Sequence, residues 1–427
     1  MPESKKYKLQ NSMFAHREFY ITTTLPYVNS NPHIGHAFEF VMADFFKRYY
    51  DFIHHADLWN TSSIKSYPSP VYPKAFLNTG IDEHGQKVAQ KAIELNLKPE
   101  KFCDNMSVAW KAFCQELQIE YDNFYRTSSD KHKKLVQEFL FNIRHLLYEK
   151  SYSGKYCPGC EAFKTEKEIK DNQCEFHPGL ELKEISEKNF FFPLSKFRKM
   201  DLKEILIDKT LQNELESIVA HCDDLSITRE NVSWGIPVPF SNQTIYVWFE
   251  ALLNYIFAIG YEPSLLNFLE FSSKWKNSLI ICGKDNLKFQ AYILPAILES
   301  SYIKPPYRVL VHGMILDKDK NKMSKSLGNV INPTEQIKKF GTEAFRYYLL
   351  AGLNTFQNSS YSEEELINKY NNDLSNNLGN LISRITSILS KNMLFVDMDY
   401  DDDLPFAEPL NRKIENAILN LKETSFI

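Results

Sequence analysis

The sequence predicts an α/β protein with a parallel sheet that an inserted segment divides. Strand-like and helix-like segments alternate through about residue 125, and this texture returns at residues 244–249 and 278–283. Residues from about 126 to 230 do not follow this alternation. They contain clustered cysteines and a charged helical run around residues 200–219. A Rossmann-like domain split by an insert explains this order best.

The first predicted strand and helix are joined by a short polar motif. Residues 19–25 are aromatic and β-branched, which favours a buried strand. Asn31 is a good N-cap and Pro32 suits the first helical position, so a helix is expected to begin at His33. His33 and His36 would share one face beside free backbone N–H groups that attract phosphates, and Gly35 would let a flat base approach. Taken alone, the two histidines are equally well explained as capping or surface residues.

A second motif, Lys-Met-Ser-Lys-Ser at residues 322–326, lies in a polar segment far along the chain. A loop with two ammonium groups can close over a triphosphate as charge builds on a leaving pyrophosphate. An ordinary solvated lysine loop is the alternative. Residues 332–335, Asn-Pro-Thr-Glu, predict a capped helix that Gly341 ends, so the loop is expected to be anchored on regular structure.

Composition sets further bounds. The 427 residues are 43% hydrophobic and 24% charged, as expected for a globular protein of two to four domains. The net charge of −4 means that any contact with nucleic acid depends on local basic patches. No apolar run is long enough to span a membrane, and the first ten residues lack the apolar core of a signal peptide. We therefore expect a cytoplasmic protein.

Three of the seven cysteines cluster with a histidine in the spacing Cys157-x2-Cys160-x13-Cys174-x2-His177. Two closely spaced pairs of this kind suit a tetrahedral zinc ion, which predicts one structural Zn²⁺ per chain. Chance spacing in a reduced protein is the alternative. The remaining cysteines lack such neighbours and are expected to be buried small hydrophobes: Cys103, Cys114, Cys222 and Cys282.

The C-terminal part of the sequence has helical periodicity. Apolar residues recur with helical spacing from Leu366 to Leu389, and a weaker pattern follows at residues 410–421. The predicted organisation is a first half-domain at 1–125, an insert at 126–230 with a knuckle at about 152–185, a second half-domain at 231–330, a linking region at 331–362 and a partial helical bundle at 363–427.

The two motifs, in this order, resemble the signatures of class I aminoacyl-tRNA synthetases. Six blocks, the last of which contains the lysine motif, narrow the resemblance to the methionyl-tRNA synthetases and extend it over nearly the whole chain: residues 24–29, 82–87, 234–239, 246–252, 283–285 and 322–329. The resemblance implies that a methionine carboxylate attacks the α-phosphate of ATP and that methionine then passes to the 3′ end of tRNA(Met). The implied partners are ATP with Mg²⁺, L-methionine and tRNA(Met), and a monomer is expected.

The same resemblance implies a role for particular side chains. Those at the reacting phosphates would be His33, His36, Lys322, Lys325 and Arg229. ATP would be bound by Asn29, His33, Gly35, His36, Gly283, Asp285, Val311, His312, Met323 and Lys325. Methionine would be bound by Leu25, Tyr27, Asp82, Trp248, Ala251, Leu252, Tyr255 and Gln290, with Asp82 accepting the α-ammonium group. Asn380 and Arg384, four residues apart on one helix, would meet the anticodon.

Some positions depart from the family pattern. Gln290 replaces a usual histidine, Ile81 a usual threonine and Glu250 a usual aspartate, and the stretch from about 52 to 75 is long. The last tryptophan is Trp275, so the chain to Ile427 is expected to lack most of the anticodon bundle. Two other functions therefore stay open: a neighbouring class I synthetase for cysteine or a branched aliphatic amino acid, and a tRNA-binding paralogue without catalysis.

Overall fold

The fold is described from a computed structural model. It describes residues 18–29, 31–59, 74–158, 162–164, 169–170, 172–174, 179–264, 268–323 and 329–391. Cys160, His177, Lys325, most of the long stretch after residue 52 and the periodic segment 410–421 lie outside these residues. Among the helices of this described part, none is both long and apolar enough to cross a membrane.

The elements follow the predicted alternation before the insert and again after it. The first half contains β1 (Phe19–Thr23), α1 (Ile34–Trp59), β2 (Ala75–Ile81), α2 (Gln86–Glu94), α3 (Pro99–Glu116) and β3 (Asn123–Arg126). The middle contains α4 (Asp130–Ile143), β4 (Tyr148–Cys157), β5 (Ala162–Phe163), β6 (Ile169–Lys170), β7 (Gln173–Cys174), β8 (Lys183–Phe192), α5 (Gln212–His221), β9 (Leu225–Ser226), β10 (Thr228–Arg229) and β11 (Thr244–Ile245).

The remaining elements return to the parallel sheet and then become helical. They are α6 (Val247–Leu252), α7 (Asn254–Phe257), α8 (Phe268–Trp275), β12 (Ser278–Gly283), α9 (Leu294–Glu299), β13 (Arg308–His312), β14 (Ile315–Leu316), α10 (Pro333–Phe340), α11 (Thr342–Ala351), β15 (Ser359–Ser360), α12 (Glu363–Lys369) and α13 (Asn380–Lys391). A π-helical segment, Tyr370–Gly379, connects α12 to α13.

One five-stranded parallel sheet organises the molecule, in the order β13-β12-β1-β2-β3. The chain reaches β12 only after leaving this sheet at β3 and building a four-stranded antiparallel sheet, β5-β4-β8-β9. The α/β class with a parallel sheet is thereby confirmed. The order reverses between β1 and β12, and ligands of such open sheets bind beyond the carboxyl ends of the strands at that point.

Alternate residues of the central strands belong to two hydrophobic clusters. Tyr20 and Ile280 belong to one cluster, whereas Ile21 and Ile281 belong to the other. This alternation is what a sheet covered on both faces requires. The four cysteines without a histidine nearby are buried, as predicted: Cys103, Cys114, Cys222 and Cys282.

The strand-like run at residues 244–249 was expected to belong to the returning α/β pattern as a strand, and this prediction is wrong. Only Thr244 and Ile245 are extended, and they pair antiparallel with β10 outside the parallel sheet, while Val247 begins α6. Tyr246, Val247 and Phe249 are nevertheless buried. Their β-forming preference is overridden because the helix places this apolar surface in the core.

One other helical prediction differs from expectation, and one agrees with it. The charged run at 200–219 is helical only from Lys209, first as a 3₁₀ turn and then as α5. At the C-terminal end, the predicted helical spacing is confirmed from Glu363 to Lys391. Five apolar side chains of its last turns are 49–59% exposed: Leu378, Leu381, Ile382, Ile385 and Ile388.

Candidate active site

The polar motif after β1 forms a compact pair of imidazoles. The rings of His33 and His36 stack with centroids 3.7 Å apart, the backbone N–H of His33 donates to His36 Nδ1 at 3.2 Å, and that of Gly35 donates to His33 Nδ1 at 3.1 Å. A Cβ on Gly35 would lie 3.0 Å from His33 Cε1, so glycine leaves room for this ring. The stacked pair lies at the start of α1, where an anion is favoured.

The predicted start of this helix is wrong by one position. Helix α1 begins at Ile34, and the backbone N–H groups of His36 and Ala37 donate to the carbonyl of His33 at 3.0 and 3.2 Å. His33 therefore occupies the capping position that was expected for Asn31. The cause is local: the imidazole nitrogens of His33 and His36 accept the early N–H groups that an asparagine cap would otherwise satisfy.

The described part of the second motif packs against the same hydrophobic cluster as the first, and the chain just beyond it is hydrogen-bonded to the first motif. The N–H of Ile34 donates to the carbonyl of Ile331 at 3.3 Å, so the start of α1 is bonded to the chain just beyond the lysine motif. Lys322 forms a β-bridge with Leu316, and Met323 packs against the same hydrophobic cluster as Ile34. Ile34 and Ile331 are therefore neighbours in the fold, although they are far apart in the sequence.

Asp317 fixes the entrance and exit of the lysine loop. Its carboxylate accepts from the N–H of Asp319 at 2.9 Å and of Asn321 at 2.8 Å, and from the side-chain amide of Asn329 at 2.7 Å. The amide of Asn329, followed by these N–H groups, holds the pKa of Asp317 below its ordinary value. After the loop, the predicted helix is confirmed: Asn332 caps α10 by accepting from Thr334 N–H at 3.0 Å, and Gly341 ends it.

Three residues expected on the nucleoside side meet at the end of β12. Gly283 pairs in register with His312, and Val311 is buried beside it on β13. A Cβ on Gly283 would lie 2.8 Å from Asp285 Oδ1 and 3.5 Å from His312 Cε1. The glycine leaves room for the Asp285 carboxylate at this close approach, and Asp285 and His312 face the same small space.

Glu39 is a buried carboxylate at this end of the sheet that the sequence analysis missed. It accepts from the N–H and hydroxyl of Thr24 at 2.7 and 2.6 Å, and its other oxygen lies 3.2 Å from His312 Nε2. Burial disfavours the imidazolium form, but Glu39 outweighs it and raises the pKa of His312 above its ordinary value. The available signal was an acidic residue within the apolar run of α1.

Asp82 lies directly beyond β2, beside the segment that follows β1. Its N–H donates to Pro26 at 2.9 Å, its carbonyl accepts from Val28 at 3.1 Å, and Tyr27 forms a parallel bridge with it. The side chain is buried, and Thr127 lies 3.4 Å from its Oδ1. Leu25 and Tyr27, both expected near methionine, are therefore held next to Asp82 by backbone bonds.

Helices α6 and α7 carry the remaining residues expected around methionine. Trp248 stacks on Phe289 with ring centroids 4.2 Å apart, and Leu252 is buried whereas Ala251 is half-buried. Phe289 was missed, because a single aromatic residue in an apolar helix gives no distinctive signal. This wall is largely aromatic, a surface that suits a thioether.

Gln290 and Tyr255 form a buried polar pair behind this wall. The Gln290 amide donates to the Tyr255 hydroxyl at 2.8 Å, and the hydroxyl of Tyr20 donates to the Tyr255 carbonyl at 2.8 Å. Burial, reinforced by nearby groups, raises the pKa of Tyr255 well above its usual range. Gln290 Oε1 is buried without a hydrogen-bond partner in the described part of the chain.

Arg229 is turned inward on β10. Its Nη1 donates to the carbonyls of Ser226 at 3.1 Å and Thr228 at 2.7 Å, and its guanidinium lies 4.0 Å from the Tyr246 ring centroid. It lines a small cavity with Gly85, which follows Asp82 closely in the chain. The arginine is thus near the end of β2; the hydrogen bonds of its Nη1 go to its own loop, and its Nε is buried without a partner in the described part of the chain.

Four other expected positions lie apart from this site. Cys157 and Cys174 end β4 and β7 with buried side chains, and the other two predicted zinc ligands lie outside the described residues. Asn380 and Arg384 are exposed, one turn apart on α13. Asn29, by contrast, is close to the site in the chain, because it lies in the turn between β1 and α1.

Comparison with known proteins identifies the family. The family described as tRNA synthetases class I (M) matches residues 19–178 and 179–386, and the chain belongs to it. Methionine–tRNA ligase of Fusobacterium nucleatum is 38% identical over 388 residues, which are 88% of this chain and 57% of the relative. That of Thermotoga maritima is also 38% identical, over 88% of this chain and 58% of the relative.

A solved structure agrees with the sequence relatives. Mycobacterium tuberculosis methionyl-tRNA synthetase in complex with methionyl-adenylate has a TM-score of 0.77 and 31% identity, over 88% of this chain and 72% of that chain. The predicted membership of the methionyl-tRNA synthetase family is confirmed. The chain spans a little under three fifths of the length of the two relatives named above.

Proposed function

We propose that this chain activates L-methionine with ATP and transfers it to tRNA(Met). The observation that carries the proposal is the hydrogen bond from Ile34 to Ile331, which joins the histidine motif to the chain just beyond the lysine motif, near the switch point of the sheet. The named relatives are methionine–tRNA ligases, and the solved relative binds methionyl-adenylate.

The first step is a displacement at phosphorus. A carboxylate oxygen of methionine attacks the α-phosphate, a new C–O–P linkage forms, and the bond to pyrophosphate breaks. The carboxylate is already ionised at neutral pH, so the protein needs to orient the reactants and offset charge rather than remove a proton. His33, His36 and Lys325 stabilise the crowded phosphate in this proposal, and Lys322 acts on the leaving pyrophosphate. Mg²⁺ carried by ATP neutralises part of the phosphate charge.

Substrate positions follow from the strand ends. The nucleoside lies against Gly283, Asp285 and His312, with Asn29, Val311 and Met323 beside it. The methionine ammonium is bound by Asp82, and the thioether enters the space bounded by Leu25, Tyr27, Trp248, Ala251, Leu252, Tyr255 and Gln290. Arg229 acts close to the reacting groups. In the second step a terminal ribose hydroxyl of tRNA attacks the carbonyl carbon, and AMP leaves.

The other regions support tRNA binding in this proposal. Residues 126–230 form a connecting insert, in which Cys157, Cys160, Cys174 and His177 hold one Zn²⁺ that ties the knuckle of about 152–185 together. The side chains of Cys157 and Cys174 are both buried at the ends of β4 and β7, which fits such a set of zinc donors. Residues 331–362 contact the tRNA stem, and Asn380 and Arg384 of region 363–427 contact the anticodon. One monomer carries all these parts, and a cytoplasmic location remains the prediction from sequence.

Methionine-dependent exchange of pyrophosphate into ATP tests the proposal directly. We expect exchange with methionine alone among twenty amino acids, and a loss of about a hundredfold in kcat for Lys322→Ala because a charge on the leaving group is lost. Lys91→Ala, an exposed lysine on α2 that pairs with Glu94, is the matched control and should leave exchange unchanged.

Each of the other readings gives a different result. Exchange with cysteine or a branched aliphatic amino acid would assign the chain to a neighbouring synthetase. Binding of tRNA without exchange with any amino acid would identify a non-catalytic paralogue. Either outcome would refute methionine activation.

A further inference from the structure

A buried carboxylate on α6 joins two imidazoles. Glu250 is fully buried, with His84 Nδ1 2.8 Å from one of its oxygens and His132 Nε2 2.6 Å from the other. His132 Nδ1 is in turn 2.9 Å from the hydroxyl of Tyr125. The four side chains form one chain of hydrogen bonds in the order His84, Glu250, His132, Tyr125, which we call the bridge.

These four residues come from four separate elements. His84 follows β2, Tyr125 is on β3, His132 is on α4 and Glu250 is on α6. The bond between His84 and Glu250 connects two walls of the proposed methionine pocket, because His84 is two residues from Asp82 and Glu250 is the neighbour of Ala251. This bond therefore connects the two walls, although none of the four residues is among those expected to contact methionine.

The bridge is charged. Burial disfavours ionisation of Glu250, but the two histidines outweigh it and hold the pKa of the carboxyl below its ordinary value. A carboxylate that accepts two N–H groups fixes which nitrogen of each imidazole carries hydrogen. His84 Nε2 is left buried without a partner in the described part of the chain, which is unusual for a group that serves only packing.

We propose that Glu250 is a positioning residue for the amino acid: by pairing with His84 through one carboxylate oxygen, while His132 holds the other oxygen, it sets the separation between the Asp82 segment and helix α6. Charge-assisted hydrogen bonds are shorter and stronger than neutral ones, so an ionised bridge holds this separation more tightly than a neutral one. The inference rests on the proposed binding of methionine. It assigns no contact between Glu250 and the substrate.

Glu250→Gln is the sharpest test, because glutamine has the same shape and can still pair with both rings. Its oxygen accepts from one imidazole and its amide donates to the other, whose proton moves to the far nitrogen. Only the charge is lost. We expect the Kd for methionine, measured by calorimetry, and its KM in exchange to rise about tenfold, with the KM for ATP changed less than twofold.

Two tyrosine variants separate the bridge from general stability. Tyr125→Phe removes the hydroxyl that holds His132, and we expect the Kd for methionine to rise about threefold. Tyr361→Phe removes another hydroxyl in a partly buried hydrogen bond, which donates to Gln336 Oε1 at 2.8 Å far along the chain, and should leave methionine binding unchanged.

Two results would overturn the inference. One is an unchanged Kd for methionine in Glu250→Gln. The other is an equal rise in the Kd for methionine and the KM for ATP, which would make the bridge a general support of the fold. Calorimetry reports methionine binding even in a protein without exchange activity, so failure of the proposed catalysis and failure of this inference are distinguishable.

Discussion

Replacing Glu39 with glutamine tests the electrostatics of the proposed nucleoside site. One carboxylate oxygen accepts two bonds from Thr24, and the other faces His312 Nε2, while His312 Nδ1 lies 2.8 Å from the carbonyl of Gly313. A glutamine oxygen can retain the Thr24 bonds. Its amide can donate to Nε2 only when His312 is neutral, because the imidazolium carries a hydrogen on both nitrogens.

The expected magnitude therefore depends on pH. The raised pKa of His312 means that the Glu39 pair contributes its full stability below about pH 6.5 and loses this contribution as pH rises through the folded-state pKa. Bonds to a charged group contribute about 1.5–3 kcal/mol and neutral ones about 1 kcal/mol. We expect Glu39→Gln to lower the free energy of unfolding by about 2–3 kcal/mol near pH 6 and by about 1 kcal/mol near pH 9.

Denaturant unfolding followed by tryptophan fluorescence at these two pH values measures the difference. The control is Glu363→Gln, which removes a surface carboxylate paired with Lys339 and should show the same small effect at both pH values. A loss for Glu39→Gln that does not change between the two pH values would refute the reasoning. It would mean that His312 does not titrate against Glu39.

Further predictions concern the other groups. Gln290→Leu removes a buried oxygen without a partner, but it also removes the amide that donates to Tyr255, so we expect the two effects to offset and the free energy of unfolding to stay within about 1 kcal/mol of the parent, measured by denaturant unfolding; a large loss would contradict it. Trp248→Ala exposes Phe289, and the KM for methionine should rise about tenfold or more in exchange assays, with the KM for ATP unchanged. Cys160→Ser should abolish stoichiometric zinc in metal analysis, whereas Cys222→Ser should retain it.

Local chemistry made several elements predictable. The aromatic and β-branched run before Asn29 forms β1, and the sequence Asn-Pro-Thr-Glu at 332–335 begins α10 as expected. The start of α1 was displaced by one residue because two imidazoles took over the cap. These features depend on neighbours within a few residues, which is why sequence patterns reveal them.

Long-range partners were not predictable in the same way. The hydrogen bond from Ile34 to Ile331 joins motifs that the sequence could only pair by resemblance to a family. Phe289 gave no signal, and Glu39 gave only the weak signal of an acidic residue in an apolar helix. The run at 244–249 has strand-forming residues yet turns into α6, because burial of its aromatic side chains decides its conformation.

The sequence by itself determined most of the alternation of strands and helices, the cap of α10 and the family. Only the tertiary structure decided that Glu250 lies between His84 and His132 and that Glu39 faces His312. The physical reason is that a charged side chain is buried only where opposite charges or donors converge on it. That convergence depends on how the elements pack, and partners more than a hundred residues apart leave no local pattern in the chain.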